Sequence, residues 1–380
     1  MTSKERVLTA MGLGIPDRVP VMCQLSIGHY LVQLGLDPAE YWIESEVISE
    51  AFIEMARRYH FDGILINLPG RSPDARDHME SIECNADGGR VIHYRDGGRC
   101  NCPPDDLPMH VEGPKLSLAE IDPDKLYYED PHCLGGLKYP FYYDLQPTGE
   151  AFPEFIFTII DTVLARVGDE LSVHGEVFSP FTQLMERLGY EAGLMGLLED
   201  PGKCKAMLAR FAAGAADLAT RQAARGVDAV LISSAFAGGG FISRAMYEEF
   251  VLPYEAIVVK AIKAAGVQAY THTCGAIGDR LELMEQTGID GIDTMDPPPL
   301  GDTDLADAKA RVGSRLFLKG NIDSVNVLLR GGAEAVRRSA MEKVAVAGLD
   351  GGYILSSACS VAPRVPAENL AVLYEVVTGR

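Results

Sequence analysis

Eight short apolar runs, rich in β-branched residues and each followed by a longer stretch of helical period, constrain the fold of this chain more than any other feature. Strands that alternate with helices along a chain generally form a parallel sheet, so the pattern predicts an α/β architecture. The runs are Val19–Leu25, Gly63–Leu68, Leu171–Val177, Asp228–Ser233, Val267–Thr273, Gly291–Met295, Leu316–Gly320 and Gly352–Ser357. Eight such units predict a (β/α)8 TIM barrel, with a doubly wound open sheet as the alternative.

The gaps between these runs carry the start and stop residues of helices. Pro201–Arg225 begins with a proline and ends before a glycine, and Arg244–Ala265 runs up to another glycine. The same pattern predicts further helices over Ile277–Thr287, Leu305–Val312, Ala333–Ala347 and Pro366–Thr378. Residues 1–6 are polar, so they predict an N-terminal helix rather than a signal peptide, and with it a cytoplasmic protein.

One gap, from Pro69 to Glu170, is much longer than the others. It contains the alternating run Arg90–Arg95 between glycine-rich turns, which predicts a β-ribbon. We therefore expect a single barrel domain over residues 1–380, with an insertion at about residues 70–170 between the second and third strands. Within it, the tyrosines and prolines of Tyr139–Pro147 are predicted to shape a substrate pocket or a lid that docks a partner.

Charge and composition exclude several classes of function. The chain has 34 basic and 54 acidic side chains, a net charge of −20, and no basic stripe that could bind nucleic acid. No apolar stretch approaches the roughly 18 residues that a membrane span needs. The eight cysteines lack the regular spacing of a disulfide scaffold, so any cysteine placed at a strand end becomes a candidate ligand or nucleophile.

Two predicted strand ends carry residues that suit a metal. A TIM barrel builds its active site at the carboxyl ends of its strands, and His272 and Cys274 end the fifth strand while Cys359 follows the eighth. Residues two apart in a strand face the same side, so His272 and Cys274 can share one ion. Two thiolates and an imidazole suit Zn²⁺, which keeps its fourth position open in catalytic sites.

Other polar residues fall at the same predicted end of the barrel. Glu176 and Asp296 are the candidate catalytic carboxylates, either as a fourth metal ligand that substrate displaces or as the group that orients the metal-binding histidine. Asn67, Asn321 and Tyr270 are the candidate substrate-binding residues. Each of the loop residues among them also fits a simpler role as a cap or turn residue.

Several segments together, in this order and spacing, resemble the uroporphyrinogen decarboxylase superfamily over nearly the whole chain. They are Pro16–Val21, Ser179–Thr182, Tyr247–Tyr254, His272–Gly275, Lys319–Asp323 and Pro366–Leu370. The resemblance implies a (β/α)8 barrel, in agreement with the strand count.

The chain departs from the true decarboxylases where their chemistry lies. Their arginine-rich segment after the first strand corresponds to Gln24–Tyr30, which has no arginine, and Asn67 stands where they have an aspartate. Cys359 replaces their late histidine, and Glu186 a tyrosine. Without guanidinium groups, the carboxylates of a porphyrin would remain unpaired in a chain of charge −20, so porphyrin decarboxylation is not expected.

At these positions the chain is similar to another branch of the superfamily, the zinc methyltransferases typified by corrinoid:coenzyme M methyltransferases. That branch carries His-x-Cys-Gly after strand five and a late cysteine, which implies that His272, Cys274 and Cys359 bind Zn²⁺ and that a thiol substrate takes the open position as a thiolate. The methyl group would be exchanged with cobalt. Because the chain has no corrinoid-binding segment of the Asp-x-His-x-x-Gly type, the corrinoid (cobalamin) is expected on a partner protein.

Several points stay open at this level. In related systems zinc activates a methyl donor instead, so the direction of transfer is not fixed, and neither is the monomer or homodimer state. One alternative is a metal-free lyase acting on a small acid, which would use Asp296, Asn321 and the arginines Arg311 and Arg315. A second is a binding protein without turnover, although thiols at a strand end are an oxidative liability without a metal.

Overall fold

The computed structural model of this protein describes residues 1–110, 116–128, 130 and 152–379; the predicted lid at Tyr139–Pro147 lies outside these residues. The strands are β1 Gly63–Ile66, β2 Met79–Cys84, β3 Arg90–Tyr94, β4 Arg99–Cys102, β5 Met109–His110, β6 Ser172–Phe178, β7 Ala229–Ser233, β8 Gln268–Thr273, β9 Gly291–Thr294, β10 Phe317–Ile322 and β11 Tyr353–Ser357. The α-helices are α1 Ser3–Met11, α2 Ile27–Leu34, α3 Pro38–Ile43, α4 Ser45–Arg58, α5 Thr158–Val167, α6 Pro180–Leu188, α7 Tyr190–Glu199, α8 Pro201–Arg225, α9 Arg244–Phe250, α10 Leu252–Ala264, α11 Leu281–Gln286, α12 Leu305–Arg311, α13 Ala333–Ala347 and α14 Ala367–Thr378.

Seven parallel strands curl into the barrel in the order β1-β6-β7-β8-β9-β10-β11. The predicted first strand, Val19–Leu25, occupies the remaining position: Val21 and Leu25 bridge to Leu355 and Val361, and Val21 accepts a hydrogen bond from the Asp62 N–H at 2.7 Å. The barrel prediction is therefore confirmed. The segment is not a regular strand, however, because Pro20 has no N–H to donate and pairing is reduced to single bridges.

Alternation along the strands separates the barrel interior from the helix-facing side. Met22, Leu65, Tyr270 and Phe317 belong to one apolar cluster inside the barrel, so the residues two positions along each strand also point inward. The register pairs His272 with Asp293 and Asp293 with Lys319 across β8, β9 and β10. These three side chains therefore form one row inside the barrel, directly below its carboxyl-end opening.

The helices largely follow the predicted bounds. Two predicted helices match α8 and α13 residue for residue. The predicted helix Arg244–Ala265 is instead split at Val251, since Pro253 in the next turn has no N–H for a continuous helix. The predicted helix Ile277–Thr287 is shortened to Leu281–Gln286. In the described ranges, no helix is long and apolar enough to cross a membrane.

The insertion contains a larger sheet than the predicted ribbon. Strands β2, β3, β4 and β5 form a four-stranded antiparallel sheet, and Arg90 at the start of β3 pairs with Asp37 at 2.7 Å. Strand β2 is exposed along nearly all its length, so its sequence shows no alternation of apolar and polar residues. That is why the sequence indicated only the central ribbon.

A buried carboxylate on α10 predicts how stability depends on pH. Glu255 accepts hydrogen bonds from Ser234 Oγ at 2.5 Å and Tyr247 Oη at 3.4 Å, and its burial raises its pKa to about 7. A folded-state pKa above the unfolded one stabilises the fold below about pH 4.5, and this contribution is lost as pH rises towards 7. In the wild type, this effect should lower the free energy of unfolding by about 3 kcal/mol between these pH values, at about 1.4 kcal/mol per pKa unit. We expect Glu255→Gln to show no such decrease. Urea unfolding at pH 4.5 and pH 8 measures it; an equal pH response in the variant and the wild type would contradict it.

Candidate metal and substrate site

Three potential ligand atoms meet at the carboxyl-end opening of the barrel. Cys274 Sγ lies 3.4 Å from His272 Nε2 and 3.8 Å from Cys359 Sγ, and Cys359 Sγ lies 3.9 Å from His272 Nε2. Strand β8 supplies the histidine and the loop after it supplies Cys274, while the loop after β11 supplies Cys359. Residues 87 positions apart in the chain are thus brought together.

The triangle formed by these atoms fits tetrahedral zinc. With Zn–S near ~2.3 Å and Zn–N near ~2.0–2.1 Å, tetrahedral angles require about 3.8 Å between sulfurs and about 3.6 Å between nitrogen and sulfur. The observed edges of 3.4, 3.8 and 3.9 Å lie within about 0.3 Å of these values. The donor set and its spacing therefore suit Zn²⁺ with a fourth position left for another ligand.

The three side chains alter one another's pKa values. The hydrogen bond from Cys274 holds the pKa of Cys359 well below its usual range, while the same contact and burial raise the pKa of Cys274. Burial lowers the pKa of His272, but Asp293 and Cys359 outweigh it and raise that pKa to about 10. An ion held by these atoms needs both sulfurs as thiolates and a neutral imidazole, so metal binding must release protons.

A buried ion pair that the sequence analysis missed lies beside the cluster. Lys319 Nζ contacts both carboxylate oxygens of Asp293 at 2.9 Å, and Asp293 Oδ2 lies 3.6 Å from His272 Nδ1. Both side chains are about 98–99% buried. The carboxylate that faces the ring of His272 is therefore Asp293, rather than Glu176 or Asp296. His272 and Cys274 are two residues apart and face the same side of the strand. The same alternation in the sixth run, Gly291–Met295, could have marked Asp293 as a residue that faces the barrel interior.

The two predicted catalytic carboxylates lie in different places. Asp296 Oδ2 accepts a hydrogen bond from the Gly275 N–H at 2.7 Å, next to Cys274, and burial raises the pKa of Asp296 to about 6. Glu176 and Asn67 instead line a cavity of about 30 Å³ at the ends of β1 and β6. Of these two carboxylates, Asp296 is the one that the structure brings next to Cys274.

The other two predicted substrate-binding residues, Asn321 and Tyr270, also lie in different places in the barrel. Asn321 ends β10 inside the opening; its Nδ2 donates to the Met295 carbonyl at 2.9 Å, and its buried Oδ1 has no partner. Tyr270 lies one row deeper, fully buried, with its hydroxyl 2.8 Å from His174 Nδ1. Asn321 therefore lies against Met295, the residue before Asp296, whereas Tyr270 is part of the barrel interior.

A glycine-rich loop fixes the position of the Cys274 segment. A Cβ on Gly238 would lie 2.3 Å from the Cys274 carbonyl oxygen, so no larger residue fits there. Gly239 donates to the Ala276 carbonyl at 2.7 Å, and the buried Arg280 guanidinium donates to the Ala237 carbonyl at 2.7 Å. The Gly238–Gly240 run is therefore used for close approach of two backbones beside the cluster.

Comparison with known proteins identifies the family of this chain. A family model described as uroporphyrinogen decarboxylase (URO-D) matches residues 144–380. The chain is 24% identical to methylcobamide:CoM methyltransferase MtbA of Methanosarcina mazei, over 98% of this chain and 97% of that protein. It is 31% identical to uroporphyrinogen decarboxylase of Nostoc punctiforme, over 60% of this chain and 63% of that protein. A solved methyltransferase from Methanosarcina mazei shares the fold, with a TM-score of 0.71 at 18% identity, covering 100% of this chain and 99% of that one. The chain therefore belongs to the uroporphyrinogen decarboxylase family.

Proposed function

We propose that the protein is a zinc-dependent methyltransferase, which moves a methyl group between a corrinoid protein and a small thiol or methylated substrate. The observation that carries this proposal is the triangle of one nitrogen and two sulfurs, whose edges of 3.4–3.9 Å suit tetrahedral zinc. The match to a methylcobamide:CoM methyltransferase over 97% of that protein's length supports the same chemistry.

Each residue around the opening has a defined task in this proposal. His272, Cys274 and Cys359 would hold the ion, which keeps a thiol deprotonated and nucleophilic when bound. Asp293 faces the Nδ1 of His272 and so keeps Nε2 directed at the two sulfurs. Asp296, fixed by the Gly275 N–H next to Cys274, would face the substrate that takes the open position.

The arginines that the lyase alternative needs are already engaged. Arg311 pairs with Glu282 at 2.6 Å and with Asp307 at 2.8 Å, and Arg315 pairs with Glu285. Arg311 also donates to the Gly278 carbonyl at 2.8 Å, in the loop after β8. Neither guanidinium is therefore free to bind an acid at the opening, and this favours the methyltransferase.

Metal analysis and a transfer assay test the proposal. Protein purified under reducing conditions is expected to hold about one zinc per chain, as three convergent ligands require. It should exchange the methyl group of methylcobalamin with thiols, which the absorbance of the cobalt product reports. Protein stripped by a chelator is the control, and added zinc should restore its activity. Wild-type protein that binds no zinc would refute the proposal.

A further inference from the structure

The strand ends that form the barrel opening offer no free positive charge among the described residues. Lys319 is the one lysine or arginine in the seven barrel strands and the closing segment at residues 19–25, and both its contacts at 2.9 Å go to Asp293. The described loops after the strands, up to the insertion sheet, add five arginines. One of them, Arg330, is exposed and is separated from the end of β10 by the turn Ser324–Leu329, and the other four are already bound. Arg71 donates to the Trp42 and Pro69 carbonyls, Arg76 pairs with Glu40 and Glu44, Arg280 bonds the Ala237 and Ile242 carbonyls, and Arg364 pairs with Asp105.

Negative and hydrogen-bond-accepting groups line the same opening. Asp296 lies two residues after the end of β9, and Asp323 directly follows β10. The carboxyl ends of these strands lie side by side, and each aspartate is more than nine-tenths buried. Asp323 already accepts three hydrogen bonds. They come from the backbone N–H groups of Val325 and Asn326 and from the side chain of Asn326. One oxygen of Asp296 is taken by the Gly275 N–H, which leaves the other for a ligand.

An unpartnered buried acceptor lies next to these carboxylates. The Nδ2 of Asn321 donates to the Met295 carbonyl, which fixes the amide and leaves Oδ1 without a partner in a residue that is 0% exposed. Ser356 pairs in register with Asn321 across β10 and β11, and its buried hydroxyl also has no partner. Ser356 lies three residues before Cys359. A ligand at the metal cluster would therefore meet an amide oxygen that can only accept a hydrogen bond.

We infer that the substrate bound at the cluster carries a neutral or cationic group with N–H or O–H donors, and that Asn321 Oδ1 and Asp296 bind this group. This inference rests on the proposed function, because it concerns the ligand that takes the open metal position. An anionic group would face carboxylates in a largely dehydrated opening with no free cation to pair it. An ammonium or hydroxyl group would satisfy the unpartnered amide oxygen.

Three thiols of equal length but different charge test the inference directly. They are 2-aminoethanethiol, 2-mercaptoethanol and 2-mercaptoethanesulfonate. The wild-type chain is loaded with Co²⁺ in place of zinc, and the sulfur-to-cobalt absorption gives a Kd for each thiol, expressed per thiolate. We expect 2-aminoethanethiol to bind about tenfold or more tightly than the sulfonate, with 2-mercaptoethanol between them, since about tenfold is the effect of one charge-assisted hydrogen bond.

Variants then identify the residues responsible. Asp296→Asn should reduce the ratio between the ammonium and sulfonate thiols by about fivefold or more, and Asn321→Leu should weaken the ammonium and hydroxyl thiols but not the sulfonate. Asp302→Asn is the matched control: it removes an equal charge from the same loop, where Asp302 is exposed and accepts from the Gly278 N–H. Thermal unfolding of each variant shows whether it is folded.

The outcomes separate this inference from the proposed function. If the chain binds neither zinc nor Co²⁺, the proposed function fails, and the inference with it. If the chain binds the metal and the sulfonate binds as tightly as the ammonium thiol, or none of the three thiols binds, the inference alone is overturned. An unchanged preference in Asp296→Asn would overturn the assignment of that residue.

Discussion

Replacing Cys359 by serine is expected to reduce bound zinc from about one ion per chain to less than about a tenth of one. The described residues bring three ligands together, and the loss of a thiolate removes a large part of the binding free energy. Methyl transfer should fall by at least about two orders of magnitude in parallel, if the metal performs the activation. His272→Ala should have the same effect, since its Nε2 closes the triangle with the two sulfurs. Metal analysis after gel filtration measures the first effect, and the methylcobalamin assay the second.

The control for this pair is a buried cysteine away from the cluster. Cys204 lies in α8, fully buried, so Cys204→Ala creates a similar packing defect without touching the opening. It should retain its zinc even if it is somewhat less stable. Full zinc content in Cys359→Ser would show that the ion, if present, binds elsewhere.

The second large effect is expected for Lys319→Met. This change leaves Asp293 as an unpaired charge that is about 98% buried, which typically costs about 3–5 kcal/mol of unfolding free energy. Because Asp293 also faces His272 Nδ1, zinc affinity should fall by about 10–100-fold, as for other residues that orient a metal-binding histidine. Urea unfolding and chelator competition measure the two quantities separately.

A double variant separates the two effects. Lys319→Met with Asp293→Asn removes both charges, so most of the lost stability should return, but the weakened zinc binding should persist because no carboxylate faces the histidine. Arg6→Met is the control for loss of a buried cation. Arg6 pairs with Asp62 at 2.7 Å near the start of β1, at the other end of the barrel, where Arg18 also contacts Asp62 at 2.8 Å. This variant should lose stability and keep its zinc affinity. Zinc binding unchanged in Lys319→Met would refute the positioning role.

The barrel could be predicted from the sequence because its strands are short, apolar and separated by helices. Seven predicted runs became strands with ends shifted by at most two residues. The remaining run, Val19–Leu25, was predicted as the first strand. It occupies the predicted place but is held by isolated bridges, because Pro20 cannot donate a hydrogen bond. The break at Val251 likewise follows from a proline, Pro253, whose effect the helical period concealed.

The candidate site was predicted only in part, because some of its residues lie at strand ends and others lie deeper, inside the strands. His272, Cys274 and Cys359 were found because the search was directed at strand ends, which is where the fold places chemistry. Asp293 and Lys319 lie inside strands β9 and β10, where a charged residue in an apolar run gives no indication of its partner. That Asn321 has one satisfied and one unpartnered atom depends on side-chain geometry, which spacing along a chain does not contain.

The position of Cys359 has a consequence for how the barrel is held closed. This cysteine follows β11, the strand that meets the segment at residues 19–25 through the Val21–Leu355 and Leu25–Val361 bridges. An ion held by Cys359, Cys274 and His272 would tie this sparsely bonded seam to β8, on the far side of two intervening strands. Any free energy gained from metal binding would then also be free energy of barrel closure, so supply of the metal and completion of the fold would be linked.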